Sequence, residues 1–327
     1  MEEASSAVEE VAPGVLRLML PIPWEGGHAN AYLVYGHGQA ALIDCGMSVP
    51  QTLATISRAL EAARLESVDL LVVTHIHPDH FGAAGEVRQR WGTEIFLHRL
   101  ELPQVHERYV EIDQLVRDVD KHLRVHGVPE ELALALSNVS RGLRQFVALT
   151  EDVALPLDGA EQFEVGGRRM RVLWTPGHSP GHVSVELADA NVIFCGDTVL
   201  ATSSPNIGLH PQSTPDPLGD FERSLRQLRL YPTATFLPGH GEPIREPTAT
   251  IDGLLEHHDR RRQRLLELLD PHGRSGWDLT IDLFGQREDE FSQRLALQEC
   301  LAHLQSLAIE GSAVKLLEQA AIVWRSS

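Results

Sequence analysis

From Val15 to Met47 short apolar runs, VLRLML, NAYLVYG and AALIDCG, are separated by Gly, Pro and Asn, which predicts antiparallel strands joined by turns. PQTLATISRALEAARL then changes to a spacing of three and four between Leu, Ile and Ala, predicting a helix that begins near Pro50. VDLLVVT is apolar without alternation, the pattern of a strand covered on both faces. GAAGEVRQRW reads as the next helix and TEIFLH as the next strand.

Residues 101–149 break this rhythm with a helical period interrupted at residues 127–129. Strands return with EQFEVGG, RRMRVLWT, HVSVELA and NVIFCGD. A Pro-rich loop at residues 202–217 precedes the helix LGDFERSLRQLRL, the strand ATFLPGH and a long helix from about Thr248 to Leu269. DPHGRSGW reads as a linker, followed by DLTIDLFG, the helix EFSQRLALQECLAHLQSLAIEG and the alternating AVKLLEQAAIVWR. Two sets of strands, each flanked by helices, predict an α/β fold of the four-layer αββα sandwich kind. The expected division is a catalytic domain over residues 1–270, carrying a helical insertion at 101–149, and a small C-terminal winged-helix-like domain over 271–327.

Composition narrows the classes. Of the 327 residues 43% are hydrophobic and 23% charged, values of a globular protein with a full core. No apolar stretch approaches the ~20 residues of a membrane span, and the acidic start MEEASSAVEEVAPG lacks the pattern of a signal peptide. It reads as a frayed lead-in to the first strand. Three scattered cysteines, Cys45, Cys195 and Cys300, form no disulfide framework, and a reducing cytoplasm is the expected location. The formal charge of −18 weighs against a nucleic-acid partner.

The histidines change the picture most. LVVTHIHPDHFGAAG sets His75, His77, Asp79 and His80 directly after a buried strand, where His75 and His77 can lean to one side as the chain leaves the sheet. Three later segments also end a strand on a Gly-flanked polar residue: TPGHSPGH with His178, FCGD with Asp197 and LPGHG with His240. Five histidines and two aspartates would fill two metal positions, and imidazole with carboxylate suits zinc, manganese or iron. Single histidines elsewhere (His28, His37, His98, His106, His122, His126, His210, His272 and His303) read as surface or core residues. His257 and His258 read as the solvated face of a helix.

On THIHPDH, TPGHSPGH, CGD and PGHG the chain resembles the metallo-β-lactamase-fold superfamily from about Val15 to His258. The resemblance implies that His75, His77 and His178 hold one metal, that Asp79, His80 and His240 hold the other, and that Asp197 bridges them. It also implies that Asp44, in ALIDCG, supports a ligand from behind. Zinc β-lactamases carry a cysteine where Asp197 stands, and flavo-diiron reductases a glutamate in place of His77. The expected branch is therefore hydrolytic and dinuclear, with a bridging hydroxide as nucleophile. Asp79 is expected to orient that hydroxide. His182 is either a donor to the developing oxyanion or a structural histidine.

Two substrate classes compete. A small ester, thioester or lactone fits the insertion, whose stripe Val110, Ile112, Leu115, Val116 and Leu123 either walls an acyl pocket or packs the insertion down. Single-stranded RNA fits the resemblance to the β-lactamase-like protein 2 group, which carries the same catalytic domain, a long helix and a winged-helix-like tail. Residues 271–327 carry five Lys or Arg against eight Asp or Glu, and the helix from Glu290 to Glu310 offers Arg294 as its one cation. Phosphates would be repelled, so a small-molecule substrate is the expectation, with no membrane partner and a homodimer as the possible assembly. A non-enzymatic metal-binding protein is the third reading.

Overall fold

The computed structural model describes residues 7–23, 27–149, 154–318 and 320–327. One sheet runs β1 (Val8–Ala12), β2 (Val15–Pro21), β3 (His28–Gly36), β4 (Gln39–Ile43), β5 (Leu70–Val72), β6 (Glu94–His98), β7 (Leu155–Leu157) in spatial as in chain order. Its first four strands pair antiparallel and its last four parallel. The start of the chain, expected to fray, contributes β1 instead; residues 1–6 lie outside the described residues. A second sheet holds β8 (Gln162–Val165), β9 (Arg168–Trp174), β10 (Val183–Leu187), β11 (Val192–Gly196) and β12 (Thr235–Pro238), with β12 parallel to β11.

Parallel neighbours need crossovers, which here are helical. α1 (Pro50–Ala63) links β4 to β5, and α2 (Pro78–Phe81) with α3 (Ala84–Trp91) links β5 to β6. The insertion links β6 to β7 as α4 (Leu102–Tyr109), α5 (Ile112–Val125) and α6 (Glu130–Leu143), and its sequence break falls between α5 and α6. Then α7 (Pro217–Leu228) links β11 to β12, and α8 (Pro247–Leu268) leads out. Strand alternation sends Val34, Ile43 and Val72 inward against Met170, Val185 and Phe194 of the other sheet. It sends Leu33, Leu42 and Leu71 outward under Ile56 and Leu60 of α1. The second sheet's outer residues Ile193 and Phe236 pack on Leu218, Phe221 and Leu225 of α7. Helices therefore cover both outer faces of two stacked sheets, a mixed α/β fold.

The tail forms β13 (Arg274–Ser275), α9 (Gly276–Phe284), α10 (Glu290–Ile309) and the hairpin β14 (Ala313–Glu318)–β15 (Ala321–Ser326), with β13 on the free edge of β15. The expected winged-helix-like domain is not confirmed. Leu297, Leu301 and Leu304 of α10 and Trp324 of β15 share one core with Leu115 and Leu123 of α5, Leu136 of α6 and Leu265 of α8. A recognition helix needs a free polar face, whereas α10 is buried around most of its circumference.

The same contacts settle two smaller expectations. Leu115 and Leu123 belong to that core, Val116 is buried, and Val110 is 55% exposed, so the insertion's stripe packs the insertion down rather than walling an acyl pocket. His257 is partly buried and His258 fully so, against the expected solvated face, because α10 crosses α8 there. The Nδ1 of His258 lies 3.1 Å from Nε2 of His303, itself also fully buried.

Candidate metal centre

The parallel strands all end at one edge, and the histidine motifs follow those ends. Asp44, just past β4, has φ 61°, a left-handed conformation that aspartate tolerates better than most residues. Its buried carboxylate accepts the Thr74 amide at 2.7 Å, the Thr74 hydroxyl at 2.8 Å and Nδ1–H of His80 at 2.8 Å. That bond fixes the His80 tautomer and turns Nε2 into the site. His178 donates Nδ1–H to Asn206 O at 2.9 Å and His240 donates Nδ1–H to His28 O at 3.1 Å, so both likewise present Nε2.

Seven ligand-type side chains converge. Nδ1 of His77 lies 2.9 Å from Nε2 of His75 and 2.9 Å from Nε2 of His178. Nε2 of His240 is 3.2 Å from Asp79 Oδ2, and Nε2 of His80 is 3.7 Å from the same oxygen. Asp197 stands between the two groups, 3.7 Å from His178 Nε2, 3.6 Å from His240 Nε2 and 3.5 Å from His80 Nε2. Within this geometry His75, His77 and His178 make one set with metal-ligand spacing and Asp79, His80 and His240 another.

Two atoms test the fit to a cation. His80 Nε2 and Asp197 Oδ1 are buried without a hydrogen-bond partner, although most buried polar atoms have one. Both point where a divalent ion would satisfy them, and the donor set, imidazole nitrogen with carboxylate oxygen, suits such an ion.

Burial, then the neighbouring imidazoles His80, His77 and His178, holds His75 well below its ordinary pKa, and burial followed by His178 and Arg108 does the same for His77. Both shifts favour the neutral imidazole, the form that can bind a metal ion. On the other side burial would raise Asp79, but His80 and His240 outweigh it and hold the carboxyl at about 2. Burial would lower His240, yet Asp197 and Asp79 lift it to about 9.

His182 is fully buried, with Nε2 accepting the Asp197 amide at 3.0 Å and Nδ1 3.0 Å from the hydroxyls of Thr175 and Thr198. Both ring nitrogens are engaged inside the fold. Of its two expected roles this geometry favours the structural one, steadying the Asp197 turn. Gly239 approaches the centre so closely that a Cβ would overlap Asp197 Oδ1 and lie 2.6 Å from His80 Cε1.

Sequence reasoning missed Glu101. It is fully buried; Oε2 accepts the Ile76 amide at 3.1 Å and Oε1 the Gly181 amide at 2.6 Å. It thereby ties the loop carrying His75 and His77 to the loop carrying His178. No local pattern marks it, because its partners lie 25 and 80 positions away.

A histidine and aspartate constellation at strand ends between two stacked sheets defines a metal-dependent hydrolase fold, and residues 24–240 match the model of the metallo-beta-lactamase superfamily, to which the chain belongs. Among its relatives is a probable metallo-hydrolase of Bacillus subtilis (strain 168), 29% identical over 90% of this chain and 92% of its own. An atrochrysone carboxyl ACP thioesterase of Emericella nidulans is 25% identical over 93% of this chain and 81% of its own. The crystal structure of a metallo-beta-lactamase family protein from Thermus thermophilus superposes with a TM-score of 0.84 at 32% identity, covering 97% of this chain and 100% of that one. The chain is a hydrolase of this superfamily.

Proposed function

We propose that the chain is a two-metal hydrolase of a small ester, thioester or lactone, with residues 1–270 as the catalytic unit and residues 271–327 buttressing the insertion. The observation that carries the substrate class is the tie between the insertion and the loop at residues 202–217. Gln104 of α4 donates to Gln212 O at 3.5 Å, Gln212 returns a bond to Glu107 at 2.7 Å, and His122 of α5 contacts Leu209 O at 3.2 Å. The insertion and the loop at residues 202–217 are thus knitted together beside His178, which favours a compact substrate over a strand. Similarity to a relative named as a thioesterase supports the same choice.

His75, His77 and His178 would hold one ion, Asp79, His80 and His240 the other, with Asp197 between them and zinc the first candidate over manganese or iron. Divalent ions there supply Lewis acidity, which lowers the pKa of water and stabilises negative charge on a substrate oxygen. Asp79, 19% exposed at the side chain and held ionised, orients a water by accepting its hydrogen bond. His182, Glu101 and Asp44 hold the ligand loops in register. The test is a panel of aryl ester, acyl-thioester and lactone substrates beside labelled single-stranded RNA, on one zinc-loaded sample and on His77→Ala. Turnover of a small substrate that disappears in the variant supports the reading. RNA cleavage that disappears in the variant, with no small substrate turned over, sinks it.

A further inference from the structure

Beside this site lie cations that, among the described residues, no carboxylate answers. The chain carries a formal charge of −18, and its arginines commonly meet an acid, as Arg261 meets Glu299, Arg262 meets Glu222 and Arg229 meets Asp252. Arg294 of α10 does not. It is 9% exposed; Nη1 reaches Ser140 Oγ at 2.7 Å and Leu136 O at 3.4 Å, and its buried Nε has no hydrogen-bond partner. Nε of Arg108, on α4, is likewise buried without a partner. A desolvated guanidinium without a counter-ion is costly, so an arrangement that keeps Arg294 in that state near the half-buried Arg108 invites an anion.

Both flank the metal centre. The Tyr109 hydroxyl donates to Ile76 O at 2.7 Å, which pins the end of α4 carrying Arg108 against the backbone between His75 and His77. Leu209 N donates to Gln298 O at 2.9 Å and Asn206 Nδ2 to Leu295 O at 3.2 Å, laying the 202–217 loop on the α10 face that carries Arg294 one turn before Gln298. The carbonyl of that same Asn206 accepts from His178. The electrostatics agree. After burial, the charge of Arg108 lowers Arg294 to about 10. His210, on the same loop, is pushed well down by burial and then by Arg108, His122, Arg294 and His178, so both guanidiniums are felt there.

We propose that Arg108 and Arg294 form the acid-recognising half of the substrate pocket, gripping a carboxylate or phosphate carried by the small molecule whose ester or thioester is cleaved beside His77 and His178. The proposal rests on the hydrolase reading for the bond that is cut. Arg offers planar paired donors that suit either oxyanion. A nucleic-acid strand would need a continuous open basic track, which one buried and one half-buried guanidinium behind a tied loop do not make.

The test uses matched substrates on the zinc-loaded protein: a thioester whose acyl chain ends in a carboxylate, the same thioester ending in the neutral amide, and a third ending in a phosphate. The readout is the ratio of kcat/KM, charged over neutral. We expect a ratio of about 10- to 100-fold in the wild type, falling toward one in Arg108→Gln and Arg294→Gln, a loss that matches the worth of a charge-assisted hydrogen bond. Arg108→Lys should keep part of it, and Arg90→Gln, at the end of α3, all of it. The charged substrate with the larger ratio identifies carboxylate or phosphate as the source. Melting temperature checks folding, and Arg108→Gln is the decisive variant should Arg294→Gln unfold. A ratio near one in the wild type for both acids, or a ratio that survives both variants, overturns the proposal. Single-stranded RNA cleaved with the same Arg108 dependence, without preference among small substrates, also overturns it.

Should no ester, thioester or lactone be turned over, the small-substrate reading fails by itself, and calorimetric binding of glutarate and inorganic phosphate still judges the pocket. Binding weakened about tenfold by Arg108→Gln supports it. Equal or absent binding in both proteins overturns it.

Discussion

The carboxylate of Glu101 accepts the Gly181 amide at 2.6 Å while its other oxygen accepts the Ile76 amide at 3.1 Å. One buried side chain therefore sets the distance between two ligand loops. Glu101→Gln keeps the shape but turns an NH2 toward one of those N–H groups, leaving a buried donor unpaired at a cost of about 1–3 kcal/mol. Metal affinity of the His75, His77 and His178 group should fall by about tenfold or more, read by competition with a chromogenic chelator. An unchanged affinity would show that the loops hold their spacing without Glu101.

Asp44 serves the other group in the same way. Asp44→Asn offers one acceptor oxygen to three donors, the Thr74 amide, the Thr74 hydroxyl and His80 Nδ1–H. The tautomer of His80 loses its anchor, and metal affinity should drop about 10- to 100-fold, as for other carboxylate supports of a ligand histidine. Metal analysis after dialysis would read this as less than the wild-type content, and a full content would contradict it.

A methyl group at residue 239 has nowhere to go. Gly239→Ala would drive Cβ into Asp197 Oδ1 and His80 Cε1, so activity should fall steeply while far-ultraviolet circular dichroism stays that of the wild type. Wild-type turnover in this variant would show that the Asp197 and His80 positions tolerate displacement.

His258 and His303 give a pH dependence to stability. Burial, then His303 and His257, lowers His258 to about 2, and burial lowers His303 to about 3. Both folded values lie below the unfolded value of about 6.5. The unfolded state therefore binds more protons, and stability present above pH ~6.5 is lost as pH falls toward the folded values. The double variant His258→Asn, His303→Gln should lose stability less steeply from pH 6.5 to 4.5, by up to about 2.7 kcal/mol per pH unit for two protons. Chemical denaturation at several pH values measures the slope, and parallel slopes would mean that the two rings titrate normally.

Much of this was legible before the structure, for reasons that particular residues show. THIHPDH follows a strand buried on both faces, so its position at the sheet edge comes from local pattern alone, and His178, Asp197 and His240 likewise follow the ends of β9, β11 and β12. The helical insertion and its break were readable from periodicity. What escaped depends on packing between distant segments. Glu101 meets Gly181 across 80 positions, Arg294 meets Ser140 across 154, and His258 is buried by α10, which no property of α8 foretells. The tail's alternating hairpin was readable, but the core it shares with the insertion was not, because that core joins segments far apart in the chain.

The most direct test of the two-metal hydrolase is calorimetric titration of the metal-free protein with zinc, followed by turnover of the best substrate at each point. Two equivalents per chain should bind, with activity rising to a plateau at the second, and His77→Ala should bind fewer and remain inactive. Full turnover in His77→Ala, or in protein stripped of metal, would contradict the assignment.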